Sequence, residues 1–445
     1  MIFAGIHLGI QRTQVGLFDL DGRLLDFTQR VRRSRRSLWS RAREPVAEWW
    51  GSVVACWEEL RGRGLEPDRV TAIGISGFDA LVALDESGRP IGNEGPQRAW
   101  SPASLSDRVR ALLESLGERR AQLHWVCSAK DTIALQLCGE VCSDPQTFGE
   151  WIGEDGLLLE ARAQEAGLEP WQLPRITPPF RNAGYTTKEA EDQLGVTIGV
   201  PVIAGWPLEL TGLLGLGFPA ETPVLLEDAP VFSVVLLLAA DAQRVPEVAH
   251  RWHLGDQGRV FAERMVLPFD LEWWAEAFGD PAVGEEELRS VLPGERLPLF
   301  RRVEADGKIT GIWEELHPVL DRAELIYSVL EGAAWCWTRA AERMLEALPG
   351  LEDRGLWTAR LDVDFWAHLL ADLSGRALRT MAVPSAYALG AAMLAAMGVG
   401  EFETYRAVAE RMAPSGGLVV PREDFRPLYA RRRERYVSGR GPLSS

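Results

Sequence analysis

The chain predicts an α/β protein of two domains. Three observations lead there. Its 445 residues exceed what one hydrophobic core organises and suit two domains of about 200 residues each. Short β-branched apolar runs alternate with amphipathic segments of helical spacing, the pattern of sheets covered by helices. The third observation is the stretch 199–217, GVPVIAGWPLELTGLLGLG. Residues 200–203 form a strand-like run, Ala204 and Gly205 break it, and Pro207 opens a helix through Leu208, Leu210, Leu213 and Leu214. A turn of this kind at the carboxyl end of a strand is where open α/β sheets hold ligands, because backbone N–H groups and the positive end of the helix dipole point into the crevice.

Composition narrows the function classes. A formal charge of −16 repels nucleic acid and anionic membrane in the far field, so neither is an expected partner. Five scattered cysteines without a CxxC pair fit neither a disulfide framework nor a zinc site. The opening MIFAGIHLG reads as a first strand rather than a signal peptide. The longest apolar run, 231–240, is too short to span a bilayer. A reduced, cytoplasmic setting and no bound metal are therefore expected.

In order along the chain, residues 3–9 and 14–19 are β-rich runs, Asp21-Gly22 supplies a turn, and 24–27 is a third strand, together an antiparallel meander. Residues 30–43 hold a dense arginine cluster, read as a solvated loop in preference to an anion-binding patch. The helix 45–61 gathers Trp49, Trp50, Val53, Trp57 and Leu60 on one side, a stripe expected in the core. Residues 70–76 are a buried strand ended by Ser76-Gly77. The segment 129–144, AKDTIALQLCGEVCSD, is an amphipathic helix in which Cys138 and Cys142 read as packing residues, not as a metal pair. His250 and His253 have a spacing that suits one face of a helix or turn, with no third ligand in view. Residues 388–400, ALGAAMLAAMGVG, form a small-residue helix built for close packing, and 419–436 a closing amphipathic helix.

These segments resemble, over almost the entire chain, those of the FGGY carbohydrate kinases, xylulokinases especially. The opening GIHLGIQRTQVGLFDLDGRLL is similar to the family's GIDLGTQSTKVGLFDLDGRLL, and 199–217 is similar to GTPVVAGGGDNAAGALGLG, with Gly212, Leu214, Gly215 and Gly217 matching. The segments 129–144, 311–338, 357–378 and 388–400 follow the family in the same way. The resemblance implies a two-lobed actin-like ATPase (ribonuclease H-like) fold of duplicated domains with a central cleft: a sugar-side lobe at 1–217 and a nucleotide-side lobe at 218–445. It also makes a homodimer an expectation.

The same resemblance locates the expected sites. The family's first hairpin faces the nucleotide's phosphates, with an Asp helping to hold Mg²⁺ and a Thr near the phosphoryl group; here the phosphate loop reads His7, Gly9, Ile10, Gln11. Imidazole is a poor Mg²⁺ ligand and isoleucine offers phosphate nothing. Leu208 takes the place of the catalytic Asp, and Glu209, one residue on, is the substitute within reach; alternatively it is a first-turn carboxylate favoured by the helix dipole. The sugar-facing Gln-Met-His becomes Phe78 and Asp79, where Asp79 accepts hydrogen bonds from sugar hydroxyls or from backbone N–H groups. A WNDxR element survives as Trp100. The phosphate-wrapping SLGTSG loop corresponds to aliphatic 234–242, and the adenosine-side glycines to Thr358, Ala359, Arg360 and Leu361.

Two functions follow as expectations. The first is a pseudokinase that binds a sugar or polyol ligand or a protein partner, with no catalytic residue and no cofactor. Phe78, Asp79, Trp100, Trp206 and Glu209 then line its ligand site. The alternative is a working sugar or polyol kinase that uses MgATP through an atypical site.

Overall fold

The structure, a computed structural model, describes residues 1–32, 46–91, 104–153, 156–228, 231–248, 250–266, 285–294, 296–305, 308–348, 350–351, 355–358 and 364–438. The chain divides into two compact units. The first comprises Met1–Pro219, Trp252–Gln257 and Val383–Pro414; the second comprises Ala220–Arg251, Gly258–Ala382 and Ser415–Ser445. Two consecutive halves were the expectation. The segment Val383–Pro414 instead belongs with the first unit, because its small-residue helix packs on that unit's sheet.

In the first unit the strands are β1 (Ile2–Leu8), β2 (Arg12–Phe18), β3 (Leu24–Val31), β4 (Val70–Gly77), β5 (Leu81–Leu84), β6 (Trp125–Ser128), β7 (Cys142–Ser143), β8 (Arg175–Ile176), β9 (Asn182–Tyr185) and β10 (Pro201–Pro207). Its main sheet runs β3-β2-β1-β4-β10-β9. The β1–β2–β3 meander is antiparallel, β4 and β10 are parallel to β1, and β9 closes the edge antiparallel. Helices α1 (Val46–Gly62), α2 (Leu105–Leu116), α3 (Ala129–Cys138), α4 (Glu160–Glu165), α5 (Lys188–Leu194) and α6 (Leu208–Gly215) lie between these strands in sequence. On α1 the expected stripe of Trp49, Trp50, Val53, Trp57 and Leu60 is buried.

The second unit contains β11 (Val224–Asp228), β12 (Val231–Leu238), the first half of β13 (His250–His253), β14 (Arg259–Val266), α7 (Glu285–Ser290), the hairpin β15 (Leu299–Ala305) and β16 (Lys308–Glu314), α8 (Arg322–Glu346), β17 (Leu356–Thr358), α9 (Asp364–Ser374) and β18 (Leu378–Arg379). After α10 (Ala386–Gly398) and α11 (Tyr405–Met412), which belong to the first unit, come β19 (Leu418–Val419) and α12 (Arg426–Ser438). The sheet order is β13-β14-β12-β11-β17-β18-β19. From β14 to β19 it repeats the first unit's plan: antiparallel, antiparallel, parallel, parallel, and an antiparallel edge. The duplicated actin-like architecture is thus present in both units.

Helix α10 reaches the first sheet at backbone distance. A Cβ on Gly5 of β1 would stand 1.8 Å from the Ala388 carbonyl oxygen, and one on Gly74 of β4 would stand 1.9 Å from that of Ala391. The converse contact joins α10 to α6, where a Cβ on Gly390 would meet the Thr211 carbonyl at 1.9 Å. Backbone against backbone leaves nothing flexible to yield.

Gly5→Ala is therefore expected to lower unfolding stability by about 3 kcal/mol or more. A Cβ on Gly51, on the exposed side of α1, meets nothing within 4 Å, so Gly51→Ala should leave stability unchanged or raise it by up to about 1 kcal/mol. Denaturant unfolding of the two variants checks the contrast.

Candidate functional site

The carboxyl ends of the three parallel strands meet in one row. His7 pairs with Ser76 across β1 and β4, and Trp206 pairs with Ser76 across β10 and β4; one residue on, Leu8 and Pro207 both flank Gly77. Strand β10 reaches this row through a bulge, its register shifting between Ile203 and Trp206. Gly205 permits the bulge: its φ is +77°, and a Cβ there would lie 1.8 Å from the Ile75 carbonyl. The chain then turns at Pro207 into α6, whose first turn carries Glu209. Glu209 is fully buried. Pro207 at the N-cap makes no side-chain cap bond, and Glu209 stands in the first turn, where the helix dipole favours a carboxylate.

His7 is 1% exposed. Its Nδ1 shares a hydrogen bond with Ser76 Oγ at 3.2 Å, and its ring stacks on Tyr387 of α10 at 4.2 Å. Ile10 is buried beside it in the hairpin tip. Gln11 is 1% exposed, and neither its Oε1 nor its Nε2 has a hydrogen-bond partner. The tip is drawn together by Arg32, whose guanidinium donates to Thr13 Oγ1 at 2.5 Å, to the Ile10 carbonyl at 2.8 Å and to the Gly9 carbonyl. Arg32 corrects the expectation of a solvated arginine loop: it is buried and ties β3 to the β1–β2 hairpin. Residues 33–43 of that cluster lie outside the described residues.

The other expected ligand residues are placed as follows. Phe78 is buried and lies edge-on to Trp49 at 5.3 Å. Asp79 forms an ion pair with Arg108 of α2, Nη1 to Oδ2 at 3.3 Å, with both side chains 12% exposed. The same guanidinium also donates to the Asp79 carbonyl. Trp206 is 1% exposed, stacks on Tyr405 at 4.7 Å and donates from Nε1 to Gln146 Oε1 at 2.8 Å. Trp100 lies outside the described residues. The structure therefore brings His7, Trp206 and Glu209 to one sheet end, with Trp206 as a buried support.

Sequence reasoning took 129–144 as scaffold and missed its charges. Lys130, Asp131 and Asp144 have fully buried side chains and form one ion group, Lys130 Nζ lying 2.6 Å from Asp131 and 2.9 Å from Asp144. Two further expectations are corrected. His250 and His253 stand on strand β13, where residues three apart point to opposite faces. Most of the aliphatic run placed at the phosphate loop belongs to strand β12, which pairs antiparallel with β11. Of the adenosine-side residues, Thr358 is buried and Ala359, Arg360 and Leu361 lie outside them.

Metal chemistry has little to work with. Among the described residues no three His, Cys, Asp or Glu side chains gather as a metal site. For a nucleotide's Mg²⁺ the first hairpin does not fit: His7 offers imidazole and Ile10 hydrocarbon, where Mg²⁺ takes hard oxygen ligands. Burial pushes the Cys56 thiol up to about 12 and Cys142 up to about 11, and raises Cys127, Cys138 and Cys336 as well. Burial thus holds the thiols in the protonated form at neutral pH.

The chain matches no family model. It does match curated proteins nearly end to end. It is 22% identical to the L-xylulose/3-keto-L-gulonate kinase of Escherichia coli K12 over 97% of this chain and 95% of that one. With a probable L-xylulose kinase of Haemophilus influenzae it is 22% identical over 88% and 90% of the two chains. Both are named as sugar kinases, and it is to these that the chain is similar along nearly its whole length. Among solved structures, the xylulose kinase of Rhodospirillum rubrum superposes with a TM-score of 0.72 over 98% of each chain at 19% identity. The two-domain fold of that structure is therefore this chain's fold.

Four buried thiols and one half-buried one, Cys336, predict that at most one cysteine of the native protein is alkylated by iodoacetamide at pH 8 within an hour, and that all five react once the chain is unfolded. Intact mass measurement reads the difference.

Proposed function

We propose that this chain is a carbohydrate kinase, transferring the γ-phosphoryl group of ATP to a hydroxyl of a small ketose or polyol in the cytoplasm. Two things support this above the pseudokinase reading. The full-length relatives are named as kinases of L-xylulose and related sugars. The observation that carries the reading is Glu209, a buried carboxylate in the first turn of α6 at the carboxyl ends of β1, β4 and β10.

In this reading Glu209 accepts the proton of the attacking hydroxyl, work that contributes roughly 10² to 10⁴ in rate. Its buried position keeps water from competing for the same carboxylate. Asp79, oriented by Arg108, accepts hydrogen bonds from other hydroxyls of the acceptor. Because His7 and Ile10 do not suit a Mg²⁺ ligand set, no step is assigned to a protein-held metal. ATP enters as the second substrate, with its metal carried by its own phosphates and water.

The pseudokinase that binds a sugar, a polyol or a protein partner remains the second reading. One specific observation favours it: the hairpin residue expected to be an acid is His7, engaged with Ser76 and stacked on Tyr387.

Acceptor-dependent ADP release, measured over a panel of pentuloses, hexuloses and polyols, tests the choice. The expected result is turnover with at least one ketose, and a fall in kcat of roughly 10² to 10⁴ in Glu209→Gln. The melting temperature should also rise with MgATP, by the equivalent of about 2.7 kcal/mol at 100 times Kd. A sugar that raises the melting temperature while no acceptor releases ADP would overturn the kinase reading in favour of the second.

A further inference from the structure

The ion group of Lys130, Asp131 and Asp144 is sealed in the first unit, each side chain at 0% exposure. A buried ion group is often no more stabilising than well-packed apolar side chains of the same volume, so stability alone is weak grounds for one. Its further contacts suggest what it does. Lys130 Nζ reaches the Ala204 carbonyl at 3.4 Å, at the bulge where β10 leaves the register of β4. The amides of the bulge are held elsewhere, Ala204 N by the Arg181 carbonyl at 3.2 Å and Gly205 N by the Pro179 carbonyl at 2.9 Å.

A second arm runs through Asp144. Its carboxylate accepts from the amides of Gln146 at 2.9 Å and Thr147 at 3.1 Å, and from Thr147 Oγ1 at 2.6 Å. That fixes Gln146, whose Oε1 receives Trp206 Nε1 at 2.8 Å. Asp131 anchors the group at the start of α3, accepting from Ser128 N at 2.8 Å and Ser128 Oγ at 2.7 Å. The two arms therefore hold β10 on either side of Gly205, at the carbonyl of residue 204 and at the indole of residue 206. Glu209 follows three residues later.

We propose that Lys130 is a positioning residue for Glu209, fixing through Asp144 and Gln146 the strand-end turn that presents the carboxylate. The proposal rests on the kinase reading. Lys130→Met alone leaves two buried carboxylates without their cation and risks misfolding. The informative variant is Lys130→Met/Asp144→Asn, which removes one charge of each sign and keeps the side-chain volumes.

Hydrogen exchange and steady-state kinetics together decide it. In the double variant, exchange in a peptide covering residues 200–212 should rise about tenfold or more, while peptides from β1 and β2 keep wild-type protection. The acceptor kcat should fall roughly tenfold to hundredfold with KM within about threefold, the effect expected of a misplaced reacting group. Gln146→Leu, which leaves the ion group intact, should reproduce part of the loss through Trp206. Wild-type exchange at 200–212 in the double variant, or raised exchange with unchanged kcat, overturns the proposal. A wild-type protein that turns over no acceptor overturns the kinase reading instead, and exchange then decides alone whether Lys130 holds the turn.

Discussion

The closeness of α10 to the first sheet is the constraint on which the rest of the first unit depends. Glycines at residues 5 and 74 bring the helix backbone against two adjacent strands, and Gly390 and Gly215 bring α6 against the same helix. With no side chains interposed, the positions of β1, β4 and α6 are set by hard backbone contacts. The row formed by His7, Ser76 and Trp206 therefore sits on a rigid base. Tyr387 extends that base to the ring of His7, so the helix fixes an imidazole as well as the sheet beneath it.

Charge is buried in this protein by the same tactic in both units. In the first, a lysine faces two carboxylates, and backbone and hydroxyl donors complete their coordination. In the second, Arg432 of α12 makes a two-pronged pair with Glu331 of α8 and donates to the carbonyls of Gly294 and Leu297 at 2.8 and 3.1 Å. Both arrangements join elements far apart in sequence. Each charged group has partners enough to offset its loss of water.

The fold was legible because its signals are local. β-rich apolar runs marked β1 to β4, the break at Ala204 and Gly205 fell at the bulge inside β10, and the small-residue run 388–400 marked a close-packing helix. What escaped was long-range. Nothing near Asp79 announces Arg108, 29 residues later, and nothing near Lys130 announces the Ala204 carbonyl, 74 residues later. Composition misled at Arg32, which shares a run of exposed-looking arginines yet directly follows β3 and donates to the Gly9 and Ile10 carbonyls of the first hairpin. Spacing misled at His250 and His253, since a three-residue interval means one face on a helix and opposite faces on a strand. In the second unit the aliphatic run was set against a phosphate loop by resemblance, and the pairing of β11 with β12 puts most of it in a strand.

The return of residues 383–414 to the first unit has a consequence for biosynthesis. A ribosome releases the chain from its amino end, so β1, β4 and the glycines that face α10 emerge while more than 300 residues are still to be made. Throughout that interval the apolar face of the first sheet lacks the helix that covers it. The amino-terminal unit cannot finish folding until residues 383–414 have left the ribosome, and until then the nascent chain carries an open sheet face.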